Sequence, residues 1–188
     1  IEVKEVSAIK GVLRIVKTFN KSTITQDITI YASTPRIDFC TQVEWQETEK
    51  LLKAAFEVDI LSPEATYEIA YGSIKRPTHW NTSWDKAKFE VPAHKWADLS
   101  ESGYGVSILN DCKYGYDIKD NVMRITLLKA PVYPDPVADK GHHEFVYSLY
   151  PHEGDWIDAD VVHAGYELNV PLKAVVAGGN KGGNLPIS

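Results

Sequence analysis

Short segments of alternating apolar and polar residues recur along most of this chain, and they limit its fold more than any other feature. In Ile37–Trp45 the apolar residues stand at positions 37, 39, 43 and 45, which is typical of a strand with one buried and one solvated face. Similar segments recur at spacings of about 10 to 18 residues, with turns rich in Gly, Pro and Asn between them. The sequence therefore predicts about ten strands in an all-β fold, a large antiparallel β-sandwich. The predicted strands are Val12–Phe19, Thr23–Tyr31, Ile37–Trp45, Phe56–Ile60, Thr66–Tyr71, Lys88–Val91, Tyr104–Leu109, Val122–Leu128, Glu144–Tyr150 and His163–Leu172.

No segment carries a sustained apolar stripe at i, i+3, i+4 and i+7, so the sequence predicts no amphipathic helix. The length of 188 residues and the 44% of hydrophobic residues suit one globular domain. We assign residues 1–176 to this domain. The remaining residues, 177–188, contain four glycines and two asparagines, a composition that predicts a flexible end.

Charge and hydropathy exclude two classes of partner. The net charge is −6 and no long basic run occurs, so the electrostatic footprint of a nucleic-acid-binding protein is missing. No apolar stretch approaches the length of a transmembrane helix, which predicts no membrane partner. No signal peptide is recognisable at the N-terminus. The chain begins at Ile1, which indicates a processed protein or an excised piece.

The two cysteines, Cys40 and Cys112, lie at the ends of strand-like segments. Free cysteine is among the most frequently buried residue types, so we expect two buried, reduced thiols. A single disulfide in a secreted protein stays open as an alternative. Reduced thiols favour a reducing compartment, the cytoplasm.

Residues that could carry catalysis are few. A histidine- and carboxylate-rich stretch, His142–His163, invites a test for zinc, but it contains no histidine pair at i, i+2 or i, i+4. The pairs Asp135/Asp139 and Asp158/Asp160 could serve as acid and base in glycoside hydrolysis, although such spacing is common in acidic loops. We therefore predict no catalytic residue and no metal ligand here.

Aromatic residues are concentrated between positions 71 and 116. Aromatic faces often bind the C–H groups of sugars, but they also dominate cores and interfaces. From the residues alone, both interpretations stay open. The cluster comprises Tyr71, Trp80, Trp84, Trp96, Tyr104, Tyr114 and Tyr116.

Several long segments, in a fixed order, carry a family resemblance. Tyr71–Asp85 reads YGSIKRPTHWNTSWD and Gly105–Gly115 reads GVSILNDCKYG. These segments resemble the C-terminal region of the family 38 glycoside hydrolases, the α-mannosidases, and most of all the RPTHxNTSWD and LLNDCKYG patterns of the cytosolic branch. The similarity continues through Phe89–Glu101, Arg124–Pro131, Pro134–Phe145, Leu149–His152 and Tyr166–Leu172.

The resemblance implies a β-sandwich of the super-sandwich type that belongs to a larger, cytoplasmic enzyme. Members of the family are retaining α-mannosidases with a zinc ion at the reacting sugar. Their nucleophile, acid and zinc ligands belong to an N-terminal α/β domain and a helical bundle, neither of which is present in this sequence. The zinc cofactor is therefore expected in the parent's catalytic domain, and this fragment alone is predicted to be inactive. The implied partners are the α/β domain and helical bundle of the same parent chain, and mannose-containing glycans.

Two groups of residues are candidates for roles in the parent enzyme. Asn110 and Asp111 are polar residues that end an apolar strand, and Lys129 follows another strand. We predict these three as substrate-rim residues, with a turn cap or a domain contact as the alternative for each. The second group is a predicted interface loop that should lie on the same side of the domain; its residues are Arg76, His79, Trp80 and Trp84.

Three hypotheses for function follow. The chain is a non-catalytic domain of a zinc-dependent α-mannosidase, a stand-alone carbohydrate-binding module that uses the Tyr/Trp cluster, or a β-domain whose only task is structural support. The sequence upstream would separate the first from the second, and glycan binding by the fragment would separate the second from the third.

Overall fold

The computed structural model describes residues 1–176, and two antiparallel sheets dominate it, which confirms the predicted all-β class. One sheet has nine strands in the order β1-β2-β3-β4-β13-β10-β9-β6-β7, and the other has four in the order β5-β12-β11-β8. The strands of the first sheet are β1 (Glu2–Val6), β2 (Lys10–Phe19), β3 (Ser22–Tyr31), β4 (Ile37–Trp45), β6 (Glu64–Ile69), β7 (Gly72–Pro77), β9 (Trp96–Ser100), β10 (Tyr104–Asn110) and β13 (Gly141–Glu153). Those of the second are β5 (Leu52–Glu57), β8 (Val91–Pro92), β11 (Gly115–Lys119) and β12 (Val122–Leu128), and the two helices are α1 (Ser83–Ala87) and α2 (Val161–Asn169).

The last strand, β13, occupies the middle of the large sheet. It pairs with β4 on one side, from Gly141 opposite Trp45 to Leu149 opposite Ile37. On the other side it pairs with β10, whose Asn110 lies opposite Tyr147. Because β4 and β10 do not pair with each other, β13 joins two half-sheets that would otherwise each end in an unpaired edge.

The main core lies between the two sheets. Val43 and Ile108 of the large sheet and Met123, Ile125 and Tyr116 of the small sheet have no measurable exposure, and all belong to one hydrophobic cluster. Full burial of a large apolar side chain stabilises a fold by about 1.5–3 kcal/mol. This cluster therefore accounts for the alternating pattern that the sequence shows.

Helix α2 overturns one predicted strand. His163–Leu172 was expected to be extended, but Val161–Asn169 is helical. Val161, Ala164 and Leu168 pack with Trp96 and Leu109 of the large sheet in a second cluster. These positions, spaced i, i+3 and i+7, are a short apolar stripe over only nine residues, too short for a sequence pattern to indicate strongly.

Several other local features differ from the sequence-based expectation. Strands β1, β7, β9 and β11 were not predicted, β5 ends at Glu57 instead of Ile60, and the expected strand Lys88–Val91 pairs only at Val91–Pro92. Helix α1 begins with a capping box, in which the Asp85 N–H donates to Thr82 Oγ1 at 3.1 Å and the Thr82 N–H donates to Asp85 Oδ2 at 3.1 Å. Neither helix of the described part of the chain is long and apolar enough to cross a membrane. The predicted flexible end, residues 177–188, lies outside the described residues.

A buried carboxylate ties three strands together on the outer face of the large sheet. Asp98 of β9 is 1% exposed. Its Oδ2 accepts a hydrogen bond from Ser107 Oγ of β10 at 2.8 Å and lies 2.9 Å from His152 Nε2 of β13. Its Oδ1 accepts from Ser100 Oγ. A buried carboxylate without such partners would be costly, so the cluster fixes the register of β9, β10 and β13.

The position of β13 leads to a prediction about truncation. A chain that ends at residue 140 loses both ladders of β13, so we expect it to lack a cooperative unfolding transition in urea followed by circular dichroism. A chain of residues 1–176 is the matched control and should unfold cooperatively. Cooperative unfolding of the 1–140 chain would show that the two half-sheets do not depend on β13.

Candidate functional site

The C-terminal end of β10 opens into a polar cleft. The cleft has a volume of about 290 Å³. It contains a carboxylate, an ammonium, an imidazole, two amides and one exposed aromatic ring. The lining residues are His94, Lys95, Asn110, Asp111, Tyr114 and Asn169.

Asn110, a predicted rim residue, is 1% exposed and its side chain is fully engaged within the domain. Its Nδ2 donates to the His94 carbonyl at 2.8 Å and to the Tyr116 hydroxyl. Its Oδ1 accepts from the Lys113 N–H at 2.5 Å. These bonds shape the turn that leaves β10, so a ligand would have to displace one of them to reach the Asn110 side chain.

Asp111 and Lys129, the other predicted rim residues, are exposed at this end of the sandwich. Asp111 Oδ2 accepts from the Val146 N–H at 3.1 Å, and a carboxylate can accept several more hydrogen bonds. The Lys129 N–H donates to Asp139 Oδ2 at 3.0 Å. The Ala130 N–H also donates to this carboxylate, at 2.9 Å, and these two backbone donors lower the pKa of Asp139.

Two residues of the cleft, His94 and Lys95, were not among the candidates that the sequence indicated. Lys95 Nζ lies 3.4 Å from Glu68 Oε1 and 4.4 Å from the centre of the Tyr166 ring. The His94 ring meets the exposed Tyr114 ring edge to face, with 6.0 Å between ring centres. Of these residues, the sequence indicated only Tyr114, as a member of the aromatic cluster. The segment 93–96 approaches the end of β10 through tertiary pairing, which a sequence pattern does not show.

The predicted interface loop begins within β7, which contains Arg76, and ends within α1, which contains Trp84. The segment between them is held mainly by Thr78, a residue that the sequence did not mark. The Thr78 N–H donates to the Pro63 carbonyl at 3.0 Å, and its hydroxyl donates to the Ser62 carbonyl at 2.6 Å. The Thr78 carbonyl accepts from the Asp120 N–H at 2.7 Å. The loop is thus fixed to the turns before β6 and after β11.

The four predicted interface residues differ in what they contact. The Arg76 guanidinium lies 4.6 Å from the centre of the Tyr67 ring, and Lys119 Nζ lies 4.6 Å from the centre of the Trp80 ring. His79 Nδ1 lies 3.8 Å from Asp85 Oδ2. Trp84 is 78% exposed, so this ring leaves most of its apolar surface in solvent.

The structure does not bring the rim residues and the interface loop together. β10 and β6 run in the same direction, since both are antiparallel to β9, and β7 runs opposite to β6. The C-terminal end of β7, where the loop begins, is therefore at the opposite end of the sheet from Asn110. The expectation that both groups lie on one side of the domain is not met.

The cysteines also differ from the prediction. Both are free, but both are exposed, and Cys112 lies in the turn after β10 rather than within a strand. The side chain of Cys40 points to the outer face of the large sheet, at the position of β4 opposite Val146. The outer face near this position is not covered by α2, which is why strand location did not imply burial. Desolvation raises the pKa of Cys40.

The histidine-rich stretch is dispersed over the surface and the interior. His142 is exposed between Glu44 and Glu144, with Nδ1 2.5 Å from Glu44 Oε1 and Nε2 3.2 Å from Glu144 Oε1, and these hydrogen bonds raise its pKa. His152 is buried against Asp98. Within residues 1–176 no group of three or more His, Cys, Asp or Glu side chains is arranged to hold a metal ion.

Comparison with known proteins decides the family. The family model described as "Glycosyl hydrolases family 38 C-terminal domain" matches residues 1–137. The chain belongs to this family. It is 49% identical over 158 residues to alpha-mannosidase 2C1 of Mus musculus and 48% identical over 146 residues to alpha-mannosidase G of Dictyostelium discoideum. These matches cover 84% and 78% of the chain but only 15% and 13% of the relatives.

The fold of this family 38 domain is also found in solved structures. An alpha-mannosidase from Enterococcus faecalis V583 superposes with a TM-score of 0.79 at 16% identity, covering 90% of this chain and 24% of that one. A second family 38 structure from Enterococcus faecalis gives a TM-score of 0.75 at 15% identity. The resemblance seen in the sequence is confirmed, and the family 38 domain corresponds to a small part of much longer chains.

The environment of Cys112 in this family 38 domain predicts low thiol reactivity despite its exposure. Desolvation and the hydrogen bond to the Asp111 carboxylate raise the pKa of Cys112 to about 11, so little thiolate forms at neutral pH. We expect iodoacetamide to modify Cys112 at pH 7.5 at least about 10-fold more slowly than free cysteine, measured by peptide mass spectrometry. Asp111→Asn should lower this pKa and speed modification, whereas Asp59→Asn should not. Equal rates in both variants would contradict the role of Asp111.

Proposed function

We propose that the chain is the non-catalytic C-terminal domain of a zinc-dependent, retaining α-mannosidase that hydrolyses terminal α-mannosides. In this proposal the domain supports the catalytic domain, and the cleft at the end of β10 lines the rim of the active site. The observation that carries the rim role is the polar cleft itself, which places Asp111, His94 and Lys95 beside the exposed Tyr114 ring.

The cleft has the chemistry that a sugar requires. Carboxylate, ammonium and imidazole groups exchange hydrogen bonds with hydroxyls, and an exposed tyrosine presents both an apolar face and a hydroxyl. Asp111 is the strongest candidate for a direct contact, because its carboxylate is exposed and retains acceptor capacity beyond the bond to Val146. Asn110 acts on the same cleft by holding the turn.

The catalytic carboxylates and the zinc ion are assigned to parts of the parent chain outside this sequence. The family resemblance supports that assignment, and so does the length of the relatives, of which this chain covers about 15%. The parent α/β domain and helical bundle would then be the partners of this domain, with mannose-containing glycans as the substrate. The similarity to alpha-mannosidase 2C1 and the free cysteines support a cytoplasmic location.

An uncovered apolar face supports the proposed role in holding a neighbouring domain. Paired residues of antiparallel strands share a face, so Val3, Leu13 and Ile28 lie on the side of the sheet that carries the core residue Phe39. The small sheet ends at β5, and the part of this face beyond β5 is not covered by it. Val3 is 65% exposed and Ile30 is 57% exposed there. Packing of the parent's other domains on this surface would bury it, as large apolar patches usually require.

The stand-alone carbohydrate-binding module is the alternative that the same cleft favours, and a purely structural domain is the third. Glycan binding by the isolated chain separates these two.

For the proposed function we expect the isolated chain to lack turnover of an aryl α-mannoside with or without zinc, because a complete catalytic set is needed.

The rim role of Asp111 can be tested in the full-length parent enzyme. Asp111→Ala should lower kcat/KM. The expected loss of transition-state stabilisation is about 1–3 kcal/mol, the size of a lost hydrogen bond to a charged group. Steady-state kinetics with an aryl α-mannoside measures this loss. Asp59→Ala, which removes an exposed carboxylate from the loop after β5, is the matched control and should leave the kinetics unchanged.

The stability of the same variant separates a rim contact from a turn cap. If Asp111→Ala keeps wild-type kinetics and lowers only the thermal midpoint, then Asp111 acts as a cap for β13 and the rim assignment is wrong. If the kinetics fall while the midpoint stays within about 2 °C, a loss of stability does not explain the effect.

A further inference from the structure

A second cavity lies at the other side of the domain, where edge strand β7 faces β11 of the small sheet. Its volume is about 210 Å³. Its walls combine aromatic and aliphatic side chains with one guanidinium group, three ammonium groups and two carboxylates. The residues that define it here are Tyr67, Ile74, Arg76, Trp80, Phe89 and Lys119.

One nitrogen of the Arg76 guanidinium has no partner in this cavity. This nitrogen, Nη1, is buried without a hydrogen-bond partner, and no carboxylate of residues 1–176 lies within ion-pair distance of the guanidinium. The Tyr67 ring, 4.6 Å away, covers one face of the guanidinium plane but accepts none of its in-plane N–H groups. Burial lowers the pKa of Arg76, as expected for a cation that has lost water without gaining an anion.

The two carboxylates that line the cavity are occupied elsewhere. Asp117 Oδ2 lies 2.5 Å from Lys53 Nζ, and its Oδ1 lies 3.2 Å from Arg124 Nη1. Asp85 Oδ2 accepts from the Thr82 N–H at 3.1 Å and from its hydroxyl at 2.8 Å. Arg76 Nη1 therefore presents unsatisfied donor capacity, and a buried donor of a charged group is costly to leave unpaired.

We propose that this cavity binds a carboxylate and that Arg76 is its anchor. A planar carboxylate can take two parallel N–H donors of a guanidinium, and the apolar walls accommodate the carbon chain behind it.

Two sources could supply this carboxylate. One is an Asp or Glu side chain from another part of the parent chain, and this source rests on the proposed function. The other is a free small carboxylic acid, which does not. The cavity, the unpaired Nη1 and the pairing of the neighbouring carboxylates are the same in both cases.

Binding is tested on the 188-residue chain by following the Nε–Hε signal of Arg76 in a nitrogen–proton NMR spectrum during titration with propionate. We expect a saturable shift with propionate and acetate but not with chloride at equal ionic strength. Arg76→Gln should weaken propionate binding, followed by the indole signal of Trp80, by about 10-fold or more. Lys86→Gln removes one positive charge from α1 outside the cavity and should leave binding unchanged. No shift, or equal shifts with chloride, would overturn the proposal.

The source is identified with the full-length parent. If a parent side chain occupies the cavity, Arg76→Gln lowers the thermal midpoint of the parent more than that of the isolated chain, and propionate stabilises only the isolated chain. If a free acid is the ligand, propionate stabilises both proteins and Arg76→Gln removes the effect from both. Absence of any propionate effect on the wild-type isolated chain would contradict both sources. The kinetics of Asp111→Ala are independent of each result, so failure of the proposed function would be recognised separately.

Discussion

The pairing of β13 with both β4 and β10 is the interaction on which the rest of the structure depends. It places the last strand of the described chain between β4, which ends the group formed by the first four strands, and β10, which begins the group β10-β9-β6-β7. Tyr147, Ser148 and Leu149 each have a ladder partner on both sides. Tyr147 faces the core, and Ser148, on the opposite face, donates to Asp38 Oδ1 at 2.6 Å. One strand therefore contributes to the core and to the buried polar layer outside it.

A layer of buried polar groups lies on the outer face of the large sheet, part of which α2 covers. The Asp98 carboxylate forms hydrogen bonds with hydroxyl and imidazole groups of three strands. The Asp38 carboxylate is bound by Arg36, Tyr31 and Ser148. Helix α2 then packs on Trp96 and Leu109. Gly165 allows this close approach, since a Cβ at that position would lie 3.2 Å from Trp96 Cδ1.

Strand direction separates the two polar sites. The cleft at Asp111 forms where β10 ends, and the cavity at Arg76 forms beside β7, which runs the other way. The cleft offers exposed hydrogen-bonding groups and an aromatic face, which suits a hydrated sugar. The cavity holds the unpartnered Arg76 Nη1 beside the Tyr67 ring, with lysines and paired carboxylates around it, and the proposed ligand there is a single carboxylate. A domain of this kind can therefore meet two different neighbours without either contact interfering with the other.

The sequence by itself determined the strand-rich class and the family. Alternation follows directly from the two faces of a strand, and motifs such as RPTHWNTSWD are long enough to be specific. The nine-residue helix α2 was not predicted. Its apolar stripe of Val161, Ala164 and Leu168 is short, and it is recognisable as a helix face only from its packing on the sheet. The exposure of Cys40 likewise depends on which part of the outer face receives a helix. Only the tertiary structure decided that the Asn110 side chain makes all its hydrogen bonds within the domain while the Asp111 carboxylate is exposed. It also decided that no carboxylate of residues 1–176 forms an ion pair with Arg76. Hydrogen-bond satisfaction and charge pairing depend on residues far apart in the chain, and those distances are set by packing rather than by local pattern.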